Sequence, residues 1–369
     1  MSALPIRVPF NVLRPGDDRA AVDAAIARVI DSGWFVLGPE VAAFETEFAA
    51  AAGAAHAVGV NTGTDALALA LRALGIGAGD EVITSPLSAA YSALAIDLVG
   101  ARPVFADIDP ERLTLDPAAA EAAITPRTRA LMPVHLYGQP ADLDRLRAVA
   151  ARHGLAVVED ACQAHLATER GVPVGRGSAA TAYSFYPTKN LGALGDGGAI
   201  TTDDAALAER VKRLRNGGQT SRYHHDERGM NSRLDELQAA ILRVRLPRLA
   251  ERTTVRRQLA ADYRARLLGA PVQVPRECDA GHVYHLFPVL VAERDRFQAH
   301  MRAAGIETLI HYPVPIPRQP AAAAWTPDQC PVADRVCARV VSLPLYPSLP
   351  AAALAGAAAA VAAFSRSTP

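Results

Sequence analysis

The sequence predicts an α/β protein built on a mostly parallel β-sheet with helices on both faces. First, short β-branched apolar runs alternate with segments of helical spacing through the first half of the chain. Second, polar or glycine-rich segments directly follow several of those runs, as ligand-binding loops do at the edge of such a sheet. Third, the 369 residues are 50% hydrophobic and 21% charged, which is typical of a folded globular protein. Repeated β-α-β units favour a parallel sheet because each crossover helix packs on one of its faces.

The individual elements follow from the periodicity of the apolar residues. Seven runs are predicted as strands: His56–Val60, Glu81–Thr84, Pro103–Ile108, Arg129–Leu136, Ala156–Glu159, Ala179–Phe185 and Gly198–Thr202. Five segments are predicted as helices: Asp65–Leu74, Leu87–Val99, Asp116–Ala123, Ala141–His153 and Ala205–Arg215. Together they make up one large sheet domain.

The remaining third of the chain has a different pattern. Asp235–Arg266 is a long, arginine-rich, helical stretch that we expect to bend near Pro247, because proline interrupts the helix hydrogen bonds. Strand-like residues such as Val283–Val291 and proline-rich loops follow. We therefore predict residues 1–245 as an N-terminal segment with the large α/β domain, and residues 246–369 as a smaller C-terminal α+β domain.

Composition and charge exclude several classes of protein. The 38 Lys and Arg residues balance the 38 Asp and Glu residues, whereas a nucleic-acid binder needs a basic surplus. No apolar run reaches the length of about 18 residues that spans a bilayer, and Met1–Phe10 does not resemble a signal peptide. We expect a cytoplasmic protein without a metal, because no Cys/His cluster has zinc-ligand spacing. The cysteines are Cys162, Cys278, Cys330 and Cys337.

Lysine is the most informative residue type, since the chain contains only Lys189 and Lys212. Lys212 lies in the last turn of a predicted helix, where a cation is favourable against the helix dipole. Lys189 lies in the glycine-rich segment Phe185–Gly198, directly after a predicted strand. A reactive amine needs burial or a nearby cation to lower its pKa, and only Lys189 is placed for such a role.

Two more segments follow predicted strands. Asn61–Asp65 opens a helix, so its N–H groups could hold an anion, or it could be a simple N-cap turn. Asp160 ends a buried apolar strand, where a carboxylate needs a partner; a helix cap or a structural ion pair would also explain it. A phosphate cradle, a carboxylate and the Lys189 amine are together the parts of a pyridoxal-phosphate (PLP) site.

Motifs along most of the chain resemble the DegT/DnrJ/EryC/StrS family of sugar aminotransferases, which have PLP-transferase fold type I. The matching segments are Gly33–Glu40, Thr62–Leu67, Pro133–Gly138, Glu159–His165, Ser184–Gly192, Gly229–Asp235 and Ser342–Pro347. The resemblance implies a large seven-stranded sheet domain between helices, with a smaller C-terminal domain. It also implies that Lys189 is the Schiff-base lysine and that Asp160 pairs with the pyridine nitrogen. Gln163 would hydrogen-bond the ring hydroxyl.

The resemblance further implies how the phosphate is held. The N–H groups of Gly63 and Thr64, with the hydroxyl of Ser184, would bind it. Asn231 matches an asparagine that reaches the phosphate in the partner subunit's site. The family resemblance therefore predicts a homodimer with two shared active sites.

The chain departs from the family pattern over the cofactor ring. An aromatic residue usually stacks there, in the segment after the strand that ends at Thr84. Ala89 occupies that position here. Tyr91, two residues further on, is the candidate for stacking, although a helix would point it in a different direction.

The candidate substrate-binding residues are Tyr186, Tyr223, His311 and Tyr312, whose polar groups could bind sugar hydroxyls or a diphosphate. The loop from His311 to Pro320 resembles a segment of enzymes that aminate 3-keto sugars, but it lacks a histidine often found near Pro317.

The function implied is transfer of an amino group from L-glutamate to a nucleotide-linked keto-6-deoxyhexose, with 3-keto favoured over 4-keto. An aminotransferase for a cyclitol or an aromatic precursor remains an alternative. A related sugar dehydratase has histidine in place of the lysine, so Lys189 argues against it. A non-enzymatic regulatory protein would not need Lys189, Asp160 and Gln163 together.

Overall fold

The computed structural model describes residues 6–325 and 329–365. Its helices are α1 (Arg19–Ser32), α2 (Pro39–Ala52), α3 (Gly63–Ala73), α4 (Tyr91–Leu98), α5 (Pro117–Ala122), α6 (Leu143–His153), α7 (Ala205–Leu214), α8 (Glu236–Arg245), α9 (Leu249–Arg266), α10 (Arg294–Ala303), α11 (Pro331–Cys337) and α12 (Ala351–Ala363). The strands are β1 (His56–Val60), β2 (Glu81–Thr84), β3 (Arg102–Phe105), β4 (Thr128–Met132), β5 (Ala156–Asp160), β6 (Thr168–Glu169), β7 (Val172–Pro173), β8 (Ala180–Ser184), β9 (Gly198–Thr202), β10 (Gln219–Ser221), β11 (His224–His225), β12 (Phe287–Leu290) and β13 (Val340–Leu343).

The large sheet has seven strands in the order β1-β9-β8-β5-β4-β2-β3. Strands β8, β5, β4, β2 and β3 run parallel to one another, while β9 is antiparallel to both β1 and β8. The predicted mostly parallel, seven-stranded α/β fold is therefore confirmed. Because the parallel strands end at one edge, the loops after β4, β5 and β8 meet there.

Helices cover both faces of this sheet. Successive strand residues face opposite sides. In β4, Ala130 packs in the core beneath α3 and α7, whereas Leu131 packs in the core beneath α5 and α6. In β5, Val158 and Val157 divide in the same way. Strands buried on both faces read as continuous apolar runs, which is why the sequence shows them clearly.

Two helices precede the sheet, in a region to which the sequence analysis assigned no element. Both α1 and α2 pack on α8. The carboxylate of Glu236 accepts hydrogen bonds from the N–H groups of Gly38, Glu40 and Val41 at 2.8–2.9 Å, which satisfies the start of α2. The position of α2 thus depends on a residue almost 200 positions away in the chain.

The predicted bend near Pro247 is confirmed. Helix α8 ends at Arg245, a 3-10 turn covers Leu246–Arg248, and α9 follows. Beyond α9, β12 pairs antiparallel with β13, and they share an apolar core with α9, α10 and α12. Val8 pairs with Ile306, so the N-terminal segment also contacts the C-terminal part. The domain boundary near residue 245 stays a prediction. None of the described helices is both long and apolar enough to cross a membrane.

Candidate active site

A cavity of about 640 Å³ opens at the carboxyl edge of the sheet. It brings together nine residues proposed from the sequence: Gly63, Thr64, Tyr91, Asp160, Gln163, Ser184, Tyr186, Lys189 and Tyr312. The walls come from the start of α3, the start of α4 and the loops after β5 and β8. Segments distant in the sequence therefore form one site.

Lys189 lies in a tight turn after β8, where its N–H donates to the carbonyl of Tyr186 at 2.8 Å. The turn closes against Gly192, where an added Cβ would lie 2.6 Å from the carbonyl oxygen of Pro187. Burial lowers the pKa of the Lys189 amine, although the charges of Cys162 and Asp160 act in the opposite direction. A lowered pKa increases the neutral, nucleophilic fraction of the amine at neutral pH.

Asp160 is the last residue of β5 and is 6% exposed. Its Oδ2 accepts a hydrogen bond from Ser92 Oγ at 2.6 Å, and its Oδ1 accepts one from the N–H of Cys162 at 3.1 Å. It forms no ion pair with any residue that the structure describes, and it caps no helix. Neither a helix cap nor a structural ion pair therefore explains this buried carboxylate. The carboxylate lines the cavity, where the protonated nitrogen of a pyridine ring would fit beside it.

The start of α3 fits a phosphate. Thr62 Oγ1 caps the helix by accepting from the N–H of Asp65 at 3.0 Å. The first N–H groups of a helix have no partner within it, so those of Gly63 and Thr64 are open to an anion. A Cβ on Gly63 would lie 2.7 Å from both Cys162 Sγ and Ser184 Cβ. Glycine therefore permits Ser184 to approach the start of α3 closely.

Gln163 is fixed in orientation by two contacts. Its Oε1 accepts from the N–H of Tyr137 at 2.8 Å, and its Nε2 donates to Tyr312 Oη at 3.0 Å. The amide NH₂ group therefore points toward the cavity. Burial raises the pKa of Tyr312 to about 12, so its phenol stays protonated. Because the Tyr312 oxygen accepts from Gln163, its own O–H is free to donate to a ligand.

His311 lies outside the cavity lining, next to Tyr312. Its Nδ1 is 3.0 Å from Ser342 Oγ, and its carbonyl oxygen accepts from the hydroxyl of Tyr137. Burial and the charge of Lys189 lower its pKa to about 4, so the ring is neutral at pH 7. Its role as a substrate-binding residue stays a prediction.

Ala89 and Tyr91 both line the cavity, Ala89 from the segment that leads into α4 and Tyr91 from the start of α4. Tyr91 is the first residue of α4 and is 62% exposed. Its place on the cavity wall is compatible with a ring contact, and the stacking role stays a prediction.

Asn231 and Tyr223 lie outside this cavity. Tyr223 is 77% exposed in the turn between β10 and β11, with the guanidinium of Arg222 over its ring. Asn231 pairs with Asn216 through the backbone. Both are surface residues in a single chain, as residues that serve a partner's site would be.

The sequence analysis assigned no role to Ser92 or to His165, although His165 ends the motif Glu159–His165. Ser92 lies in an otherwise apolar stretch of α4 and carries no motif signal. The ring of His165 is buried behind Ser184, with Nε2 2.8 Å from the Ser184 carbonyl oxygen. Burial and the charge of Lys189 lower the pKa of His165 to about 3, so it donates as a neutral imidazole. No group of His, Cys, Asp and Glu in the described residues could hold a metal ion.

The fold and the site define a PLP-dependent aminotransferase. The model of the DegT/DnrJ/EryC1/StrS aminotransferase family matches residues 17–362, and the chain belongs to this family.

Two curated relatives and one solved structure are similar over nearly the whole chain. The dTDP-3-amino-3,4,6-trideoxy-alpha-D-glucose transaminase of Streptomyces venezuelae is 52% identical over 352 residues, 93% of this chain and 92% of that protein. The erythromycin biosynthesis sensory transduction protein EryC1 of Saccharopolyspora erythraea is 50% identical, covering 93% and 95% of the two chains. The crystal structure of S. venezuelae DesV in complex with a ketimine intermediate has a TM-score of 0.94 at 51% identity, covering 97% and 98%.

Proposed function

We propose that this enzyme transfers the amino group of L-glutamate to a nucleotide-linked keto-6-deoxyhexose, with the 3-keto sugar favoured over the 4-keto sugar. The observation that carries the proposal is the convergence of the Lys189 amine, the Asp160 carboxylate and the α3 cradle in one cavity. The substrate class is supported by a relative, 52% identical, whose name specifies a dTDP-3-amino sugar.

Bound PLP supplies an aldehyde that condenses with amines and a ring that accepts the electron pair left when a neighbouring C–H bond loses its proton. Lys189 Nζ would hold that aldehyde until the amine of the donor displaces it, and the freed Lys189 amine would then act as the general base that takes the proton from the α-carbon of the donor. In the second half of the reaction, Lys189 Nζ returns a proton to the acceptor carbon that receives the amino group.

The other residues hold and orient the cofactor. The Asp160 carboxylate stabilises the proton on the ring nitrogen, and Gln163 Nε2 donates to the ring hydroxyl. The N–H groups of Gly63 and Thr64, with the hydroxyl of Ser184, hold the phosphate. These contacts restrict the ring to one position relative to Lys189, so the proton has a short path.

The acceptor sugar lies on the open side of the cavity. Tyr186, which is 51% exposed, and Tyr312 supply phenol hydroxyls there. We further propose a homodimer with two shared sites, in which the exposed Asn231 and Tyr223 of one chain would reach the site of the other. The cytoplasmic location stays a prediction.

The two lysines provide a matched test. Lys212 pairs with Glu209 at 2.7 Å on the surface, far from the cavity. PLP added to the purified protein should produce a visible absorption band that L-glutamate bleaches, and Lys212→Ala should behave identically. Lys189→Ala should show neither the band nor turnover. Substantial turnover by Lys189→Ala would overturn the proposal.

The position of amination is tested by the product. We expect the glutamate-treated enzyme to aminate a dTDP-3-keto-6-deoxyhexose, and NMR of the product would place nitrogen on carbon 3. Amination of the 4-keto isomer alone would show that the enzyme places nitrogen on carbon 4. Amination of neither sugar, with bleaching by glutamate intact, would point to a cyclitol or aromatic acceptor.

A further inference from the structure

Ser92 makes the shortest polar contact to Asp160 in the described structure. It is the second residue of α4, is 1% exposed, and its Oγ lies 2.6 Å from Asp160 Oδ2. A hydroxyl bound to a carboxylate at about 2.5–2.7 Å is a charge-assisted hydrogen bond. A helical serine can instead bond to its own backbone one turn earlier, but here the hydroxyl bridges α4 to the end of β5.

The carboxylate of Asp160 is held from two directions. Ser92 donates to Oδ2, and the N–H of Cys162 donates to Oδ1 at 3.1 Å. The two donors belong to different elements, so together they fix the rotation of the carboxylate. Each oxygen keeps free acceptor capacity toward the cavity. Without Ser92, one oxygen would have no protein donor and the carboxylate could turn about its last side-chain bond.

The segment before α4 contributes Ser88 and Ala89 to the cavity wall, and α4 contributes Tyr91 and Ser92. Of the two α4 residues, Ser92 is the one that donates a hydrogen bond to Asp160. The other titratable groups whose charges interact with Asp160 are Lys189, Cys162 and Tyr312.

We propose that Ser92 is a positioning residue that acts through Asp160 on the ring nitrogen of the cofactor. It would hold the carboxylate in one orientation toward the nitrogen and so maintain the proton on the ring. This inference rests on the proposed function, which places the ring nitrogen at Asp160.

The test compares Ser92→Ala with Ser92→Thr, which keeps the hydroxyl, and with Thr84→Val as a matched control. Thr84 also uses a fully buried hydroxyl, which donates to the carbonyl of Met132 at 2.9 Å without touching Asp160. We expect the dissociation constant of PLP from the apo-protein to rise on the order of tenfold in Ser92→Ala, by analogy with residues that orient metal ligands. Ser92→Thr and Thr84→Val should stay within about twofold of the original protein. If Ser92→Ala does not fold, Ser92→Cys keeps the volume with a weaker donor.

A second readout separates positioning from simple packing. Binding of 1-deazapyridoxal phosphate, which has a C–H group in place of the ring nitrogen, should be equal in Ser92→Ala and the original protein. In the PLP-loaded protein, absorption titration should show the ring nitrogen losing its proton at lower pH in Ser92→Ala. An equal loss of affinity for PLP and for the deaza analogue would overturn the proposal, because it would indicate a packing defect.

The variant Asp160→Asn distinguishes an error in the role of Ser92 from an error in the placement of the ring nitrogen at Asp160. We expect it to weaken PLP binding more than Ser92→Ala does, and the double variant should be no weaker than Asp160→Asn alone. If Asp160→Asn weakens PLP binding and Ser92→Ala does not, only the role of Ser92 is wrong. If Asp160→Asn leaves PLP binding and the spectrum unchanged, the placement of the ring nitrogen is wrong.

Discussion

Replacing Gly63 by alanine tests the phosphate cradle directly. The new Cβ would lie 2.7 Å from Cys162 Sγ and from Ser184 Cβ, closer than real Cβ contacts come. Neither neighbour is a flexible side-chain end, so the start of α3 or the end of β8 must move by several tenths of an ångström. Overpacking of this kind costs about 1–3 kcal/mol of folding free energy. The same movement displaces the N–H groups from the phosphate, and a weakened hydrogen bond to a charged group costs about 1.5–3 kcal/mol.

We therefore expect Gly63→Ala to bind PLP about 10- to 100-fold more weakly, measured by equilibrium titration of the apo-protein. Denaturant unfolding should show the loss of stability. Gly356→Ala is the matched control, because this glycine lies inside α12 with no atom within 4 Å of a new Cβ. It should gain about 0.5–1 kcal/mol from higher helix propensity and bind PLP normally. Unchanged PLP affinity in Gly63→Ala would refute this account of the cradle.

Two further predictions concern stability. Arg147 and Arg152 both lie on α6, but Arg147 pairs with the fully buried Glu159 at 2.9 Å, whereas Arg152 pairs with the exposed Glu121. Arg147→Met should lower the free energy of unfolding by about 3 kcal/mol, measured in denaturant, because the buried Glu159 loses one of its partners. Arg152→Met should change the free energy of unfolding little. Equal effects of the two substitutions would contradict the argument. Burial lowers the pKa of His282 from 6.5 to about 3. Because the unfolded chain takes up this proton and the fold does not, the stabilisation is complete above pH 6.5 and falls by about 1.4 kcal/mol per pH unit below it. His282→Gln should flatten this acid-side slope, and an unchanged slope would show that the ring is protonated in the fold.

The sheet and the cofactor residues could be predicted because their signals are local. Strands buried on both faces give continuous apolar runs, and Lys189 is one of two lysines in the chain. The order of the motifs then implied that Asp160 and Ser184 end parallel strands and lie near each other. Because β5 and β8 are parallel and paired in register, their last residues lie in the lining of one cavity.

The segment between β2 and α4 shows what local signals could not provide. The sequence predicts a helix from Leu87, but α4 begins at Tyr91. Ser85 Oγ bonds to the backbone of Leu87, and the carbonyl of Pro86 accepts from the N–H of Ile316, over 200 residues away. Local and tertiary contacts therefore hold these residues in a bent, non-helical conformation before α4. The same delayed start of α4 places Ser92 against Asp160, a contact that no periodicity could reveal.

The proposed dimer would explain both the location of Asn231 and Tyr223 outside the cavity and the presence of exposed aromatic side chains. Within the described part of the single chain, five aromatic residues are at least 48% exposed: Trp34, Phe35, Tyr91, Tyr186 and Tyr223. Two of them line the cavity, and Tyr223 lies on the same β10–β11 hairpin region that leads to Asn231. Contiguous patches of exposed apolar groups mark surfaces that a partner covers, whereas single exposed apolar groups are ordinary. In a two-fold dimer the same surface meets itself, so one contact could cover these rings and also bring Asn231 and Tyr223 to the partner's cavity. In the proposed dimer, the open cavity of the single chain would be half of the site.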